Sequence, residues 1–152
     1  MENKKVKNAT SCEYNGIQFK SRLEMKTYII LNEKGFNPQY EAQTFSLWEG
    51  KKFAIPCYDL HKDRKLKRAV WGSNPYKTIS IKYTPDFILS VKDSYDNERM
   101  IIIECKGMQN DVYPYKKKLF LDYLEKNHPD SIFFEVHTQK QLKSAIEIIN
   151  SL

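Results

Sequence analysis

Two short runs, Phe87-Ile88-Leu89 and Ile101-Ile102-Ile103, are apolar at every position. A strand with one face in water alternates polar and apolar residues. Runs without alternation belong to central strands covered on both sides. Such strands need a layer packed on each face, which commits the chain to a layered α/β arrangement. The segment between them, Lys92-Asp93-Ser94-Tyr95-Asp96-Asn97-Glu98-Arg99, is polar and turn-prone. If residues 84–91 and 100–106 pair as a hairpin about Tyr95-Asp96, residue numbers opposite each other sum to about 190. Asp86 then lies opposite Glu104, and Lys106 shares the face of Glu104 two residues away. Three ionisable groups meet at one end of an otherwise apolar hairpin. Two carboxylates about 4 Å apart repel by about 4 kcal/mol at an effective dielectric of about 20. A lysine, a raised pKa or a metal ion must offset that. A plain ion pair of Lys106 with Glu104 or Asp86 is the simplest account, and spacing alone favours it. Two buried acids against one lysine weaken it.

The remaining periodicities surround this hairpin with further elements. Tyr14-Asn15-Gly16-Ile17 carries the Asn-Gly signature of a tight turn. Ser21-Arg22-Leu23-Glu24 is a capping-box pattern, and Lys34-Gly35 closes the helix it begins. Leu23, Thr27, Ile30 and Leu31 share a face of that helix. Residues 40–48 read as a strand and residues 77–91 as strand-like, with a basic stretch between them that Pro56, Gly72 and Pro75 interrupt. Pro114 opens a second helix, ended by Asn127-His128-Pro129. Residues 132–136 form a strand, and Leu142, Ala145, Ile146 and Ile149 mark a last helix. The expected fold is one α/β domain over residues 1–152, a mixed sheet flanked by helices.

The chain has 152 residues and a net charge of +6. Residues 51–82 hold 9 basic and 2 acidic side chains, concentrated around Lys62-Asp63-Arg64-Lys65-Leu66-Lys67-Arg68. With Trp48, Tyr58, Trp71 and Tyr76 nearby, that excess suits a polyanion, although a solvated loop is the commoner cause of such a run. No apolar run approaches the length of a membrane span. The basic N-terminus leads into no apolar segment of a secretory signal. The 3 cysteines, Cys12, Cys57 and Cys105, are odd in number and widely spaced, which argues against a disulfide framework. Cys57 and His61 lack the further ligands of a zinc site. A soluble, reduced, cytoplasmic protein is expected.

Tyr83-Thr84-Pro85-Asp86-Phe87 followed by Ile103-Glu104-Cys105-Lys106-Gly107 resembles the signature of the PD-(D/E)XK nuclease superfamily. Gly16-Ile17-x-Phe19-x-Ser21-x-Leu23-Glu24, Asp111-Val112-Tyr113 and Lys116-Lys117-Lys118-Leu119-Phe120 are similar to a poorly characterised phage-encoded branch of it. The junction-resolving endonucleases I of T-odd bacteriophages share a similar skeleton. The resemblance spans residues 13 to 136 and implies a restriction-endonuclease-like fold. It further implies a Mg²⁺ ion, replaceable by Mn²⁺, held by Asp86, Glu104 and the Cys105 carbonyl, with Glu24 completing the shell. Lys106 would orient or help deprotonate the attacking water. The implied activity is metal-dependent DNA cleavage, on branched DNA such as four-way junctions, by a homodimer.

The basic segment of residues 50–78 is longer than in the phage resolvases and leaves the substrate geometry open. Transposon-end strand cleavage, and nucleic-acid binding without catalysis, are the alternatives. Glu24 is equally the capping glutamate of the Ser21 box, which would need only a side-chain acceptor for the Ser21 backbone N–H; Gln would then serve. Glu41 is an acid at a strand end close to the site. Lys62, Arg64, Lys65, Lys67 and Arg68 are candidate DNA contacts. Lys116, Lys117 and Lys118 are as well: they sit in a first helical turn where the dipole prefers anions, which an exposed surface tolerates as the commoner explanation and which a DNA phosphate at the helix start would relieve.

Overall fold

The computed structural model describes residues 10–51, 54–60, 63–68, 79–107 and 111–152. The chain begins with a hairpin, β1 (Cys12–Tyr14) and β2 (Ile17–Phe19). Asn15 and Gly16 turn it with φ of 50° and 77°, the pair of positive values a tight primed turn requires. Helix α1 (Arg22–Glu33) follows, capped by Ser21, whose side chain accepts the Glu24 N–H. Gly35, at φ 83°, takes the left-handed conformation past the helix end. The chain continues through β3 (Gln39–Tyr40), β4 (Phe45–Trp48), β5 (Tyr58–Leu60), β6 (Leu66–Arg68), β7 (Ile81–Tyr83), β8 (Phe87–Lys92) and β9 (Glu98–Cys105). Helix α2 (Tyr113–Asn127), β10 (Ile132–Val136) and α3 (Gln139–Asn150) complete it.

The central sheet has four strands in the order β10-β9-β8-β3. It is mixed: β10 runs parallel to β9, while β8 is antiparallel to both β9 and β3. Strand β9, apolar over Ile101, Ile102 and Ile103, is internal and buried on both faces, as its lack of alternation requires. On one face Phe87, Leu89, Ile101, Ile103 and Cys105 pack against Leu31 of α1 and Leu142, Ala145, Ile146 and Ile149 of α3. On the other, Ile102 joins Phe120 and Leu124 of α2, with Phe45 and Tyr83. The fold is mixed α/β with helices on both faces of the sheet, compatible with a restriction-endonuclease-like arrangement.

The β8–β9 hairpin has the expected register. Phe87 pairs with Ile103, Ile88 with Ile102 and Leu89 with Ile101. Its turn is held by the Asp93 carboxylate, which accepts the N–H groups of Tyr95 and Asn97 and the Arg99 Nε–H, each at 2.9 Å.

Two expected strands are broken instead of continuous. Residues 40–48 split at Glu41, whose φ is 43°; β3 joins the central sheet while β4 pairs with β7 in a sheet of its own. Residues 77–91 split at Thr84-Pro85-Asp86, because Pro85 has no N–H for a ladder and restricts the residue before it. The basic segment is more regular than its composition suggests. Within it β5 and β6 form an antiparallel hairpin whose turn holds Arg64 at φ 62°.

Candidate active site at the end of the central hairpin

Pro85 shapes the site from the backbone outward. Continued one step, the β8–β9 register would set Cys105 opposite Pro85. Proline cannot donate to the Cys105 carbonyl. That leaves the Cys105 carbonyl without a ladder donor, and the Cys105 N–H bonds the Asp86 carboxylate, 2.7 Å from Oδ2. Alternate residues of a strand direct their N–H and C=O to the same edge, and the Lys106 N–H bonds Val136 O on the opposite, β10 side. The Cys105 carbonyl therefore points to the edge where Asp86 stands. The ladder ends with two carboxylates and one main-chain oxygen converging on it.

Asp86 is 8 % exposed and Glu104 3 %. Glu104 receives the Asp86 N–H at 3.3 Å on Oε2 and the Lys106 ammonium at 2.5 Å on Oε1. Burial pushes the Asp86 pKa well above the ordinary carboxylate value, and the charges of Glu104 and Glu24 push it the same way. The Cys105 N–H and Lys106 oppose that shift only in part. Lys106 rests between Glu104 and the ring of Tyr113, its Nζ 4.1 Å from the ring centroid. The buried Tyr83 hydroxyl beside them has no hydrogen-bond partner of good geometry; burial first, then Glu104, raises its pKa.

Glu24 stands differently from the expectation. Its helix packs on the face of Phe87, Ile103 and Cys105, where the Cys105 thiol meets Thr27, whereas Glu104 and Lys106 lie on the α2 face. Asp86 feels the Glu24 charge across the sheet end. The Glu24 carboxylate itself accepts three hydrogen bonds: from the Lys20 backbone N–H at 3.0 Å, the Ser21 hydroxyl at 2.7 Å and the Tyr40 hydroxyl at 2.6 Å. The reciprocal capping bond thus reaches Lys20, not Ser21. Glu41 lies nearby, its N–H bonded to Asp86 O at 2.8 Å and its carboxylate paired with Lys20.

Among the described residues, no group of three or more His, Cys, Asp and Glu side chains is arranged to hold a metal ion. Mg²⁺ does not require three, since one or two carboxylates completed by water and phosphate oxygens suffice. Asp86, Glu104 and the Cys105 carbonyl, all hard oxygen donors at one strand end, fit that ion. Glu24, held by three donors on the other face, does not join them in this arrangement.

The basic candidates divide into two groups. Lys62 lies outside the described residues. Arg64, Lys65, Lys67 and Arg68 are exposed on the β5–β6 hairpin, with Lys67 paired to Asp63 at 2.8 Å. In the first turns of α2, Lys118 is exposed and Lys116 half-buried. Lys117 is bound within the protein, 2.6 Å from Glu135. Sequence reasoning missed Tyr113 and Glu135 as neighbours of the site. Glu135 pairs with Glu104 across the parallel β9–β10 ladder, and it accepts hydrogen bonds from Lys117, from the Tyr113 hydroxyl at 2.7 Å and from His137 at 2.9 Å. Burial would raise its pKa, but these partners outweigh burial and bring it down to about 2. The parallel register alone could have revealed the pair.

The family model described as "Protein of unknown function (DUF1064)" matches residues 4–144. The chain belongs to that family. No curated protein and no solved structure matches the chain. No helix among the described residues is long and apolar enough to cross a membrane.

Two stability measurements test this arrangement. Glu24→Gln leaves one acceptor oxygen for three donors and turns an NH₂ toward them, so urea melts should show a loss of about 1–3 kcal/mol. A near-neutral effect, expected if Glu24 were a simple cap, would contradict the observed contacts. For Asp86 the folded pKa lies above the ordinary 3.8. The ionised group therefore destabilises the metal-free fold above the folded pKa, and the penalty is relieved as pH falls toward 3.8. In chelator, Asp86→Asn should be more stable than wild type at pH about 8, with the gain shrinking on acidification. Melts across pH read the difference directly; a gain independent of pH would remove Asp86 ionisation as its source.

Proposed function

We propose that this chain is a Mg²⁺-dependent DNA endonuclease of the PD-(D/E)XK type, cutting branched DNA as a homodimer in the cytoplasm, with Mn²⁺ able to replace Mg²⁺. The observation that carries the reading is the pair of buried carboxylates, Asp86 and Glu104, beside Lys106 where the central ladder ends. A fold kept for packing alone has no use for two adjacent buried acids, with burial and the Glu104 charge raising the proton affinity of Asp86. Asp86, Glu104 and the Cys105 carbonyl would hold the ion. When bound, Mg²⁺ supplies a water of lowered pKa and neutralises phosphate charge.

The chain's own groups supply the rest. The Lys106 ammonium, partly exposed, would orient the attacking water and stabilise the negative charge that develops on the phosphate. The exposed cations of the β5–β6 hairpin, with Lys116 and Lys118, supply phosphate contacts along the duplex. A preference for branched substrates and the dimer rest on the resemblance to phage resolvases.

A second reading, nucleic-acid binding without catalysis, draws on the Lys106–Glu104 contact and on Glu24 being committed to its three donors. Cleavage of a four-way junction, a flap, linear duplex and single strand, in Mg²⁺, in Mn²⁺ and in chelator, separates the two. The nuclease cuts only with metal and favours the junction. Asp86→Asn, Glu104→Gln and Lys106→Met should each abolish cutting while retaining DNA binding. Binding in chelator with no cutting in either metal would establish the second reading instead.

The hairpin has its own test. Alanine at Arg64, Lys65, Lys67 and Arg68 should flatten the slope of log affinity against log salt by up to ~0.9 per lost phosphate contact. An unchanged slope would make the hairpin a solvated surface feature.

A further inference from the structure

Lys106 has two partners of different kinds. One is the Glu104 carboxylate at 2.5 Å; the other is the face of the Tyr113 ring, 4.1 Å from Nζ to the centroid. The first contact is a charge pair with a group that the proposed reaction needs elsewhere. The second is an attraction to the ring quadrupole, which survives whatever Glu104 binds. Tyr113 is 6 % exposed and stands at the first residue of α2. Its hydroxyl donates to Glu135 at 2.7 Å, and Glu135 is anchored from other directions by Lys117 at 2.6 Å and His137 at 2.9 Å. Because Glu135 lies beside Glu104 in the parallel ladder, the ring is tied to the sheet one strand away from the acids. A lysine stem is flexible, and an ammonium left only to Glu104 would lose its place once that carboxylate took another cation.

We propose that Tyr113 is a positioning residue for Lys106: its ring is a second seat for the ammonium. The seat keeps Lys106 facing the reacting phosphate when Glu104 no longer holds it. The catalytic consequence rests on the nuclease reading, whereas the seat itself does not.

Both levels can be measured on the full chain. Lysine side chains labelled with ¹³C report the ring directly, because an ε-CH₂ group over an aromatic face resonates upfield of other lysines. Lys106→Arg assigns the signal. The expected result is an upfield Lys106 resonance in wild type that persists in Tyr113→Phe, disappears in Tyr113→Leu and remains when Mg²⁺ is added. In cleavage, Tyr113→Leu should lower kcat by about tenfold with KM changed by less than about twofold, and Tyr113→Phe should recover most of that loss. A Lys106 signal at the ordinary lysine position in wild type overturns the seat, and needs no variant that folds. A Tyr113→Leu protein that folds and keeps its kcat overturns the positioning role. If wild type cuts no DNA in either metal, the nuclease reading fails, and the wild-type spectrum still decides the seat.

Discussion

Much of this structure depends on one missing hydrogen-bond donor. Pro85 stands where the β8–β9 ladder would continue, and having no N–H it cannot close the next pair with Cys105. The Cys105 carbonyl is left without its ladder donor, and beside it the Asp86 carboxylate accepts the Cys105 N–H at 2.7 Å, a buried acid fixed at a strand end. The same break sends β7 away to pair with β4, and it leaves the Cys105 carbonyl directed at the edge where Asp86 and Glu104 meet. A proline that cost a ladder bond stands where two buried carboxylates and a lysine face one another at the end of the central hairpin.

The electrostatics of the site follow from burial. Two carboxylates in an apolar layer cannot both ionise freely, and the raised Asp86 pKa records that conflict. Lys106 relieves Glu104 without reaching a full solution for both acids. Around this centre lie two secondary systems on opposite faces of the sheet. On the α1 side, Glu24 is held by Lys20, Ser21 and Tyr40, joining the first hairpin to the helix. On the α2 side, Glu135 gathers Tyr113, Lys117 and His137. The two differ in what they face: Glu24 reaches the site only through its field on Asp86, while Tyr113 touches Lys106.

The basic hairpin stands apart in character. Arg64, Lys65, Lys67 and Arg68 on it are exposed, Lys67 pairs locally with Asp63, and surface pairs of that kind contribute little to stability. The central sheet needs no such element to bury its core. A surface of this kind is better suited to long-range attraction of a polyanion than to folding.

The chain's sequence by itself determined the central hairpin, its register and its apolar character on both faces. Those depend on local turn chemistry about Asp93–Asn97 and on two apolar runs without alternation, and neither requires knowledge of distant residues. It also determined that Asp86, Glu104 and Lys106 share one end, because pairing arithmetic carries over from the turn to the strand ends. The first hairpin and the start of α1 were legible for the same reason. What only the tertiary structure decided are relations between elements far apart in sequence. Glu24 sits on one face of the sheet and Glu104 on the other because α1 and α2 pack on opposite sides, and no periodicity states which side a helix will choose. The break at Glu41 depends on the bond its N–H makes to Asp86. Tyr113 meets Lys106, and Glu135 meets Tyr113, because β10 enters parallel to β9 and α2 covers that face. Those contacts come from a crossover, and a crossover leaves no local signature in the residues it brings together.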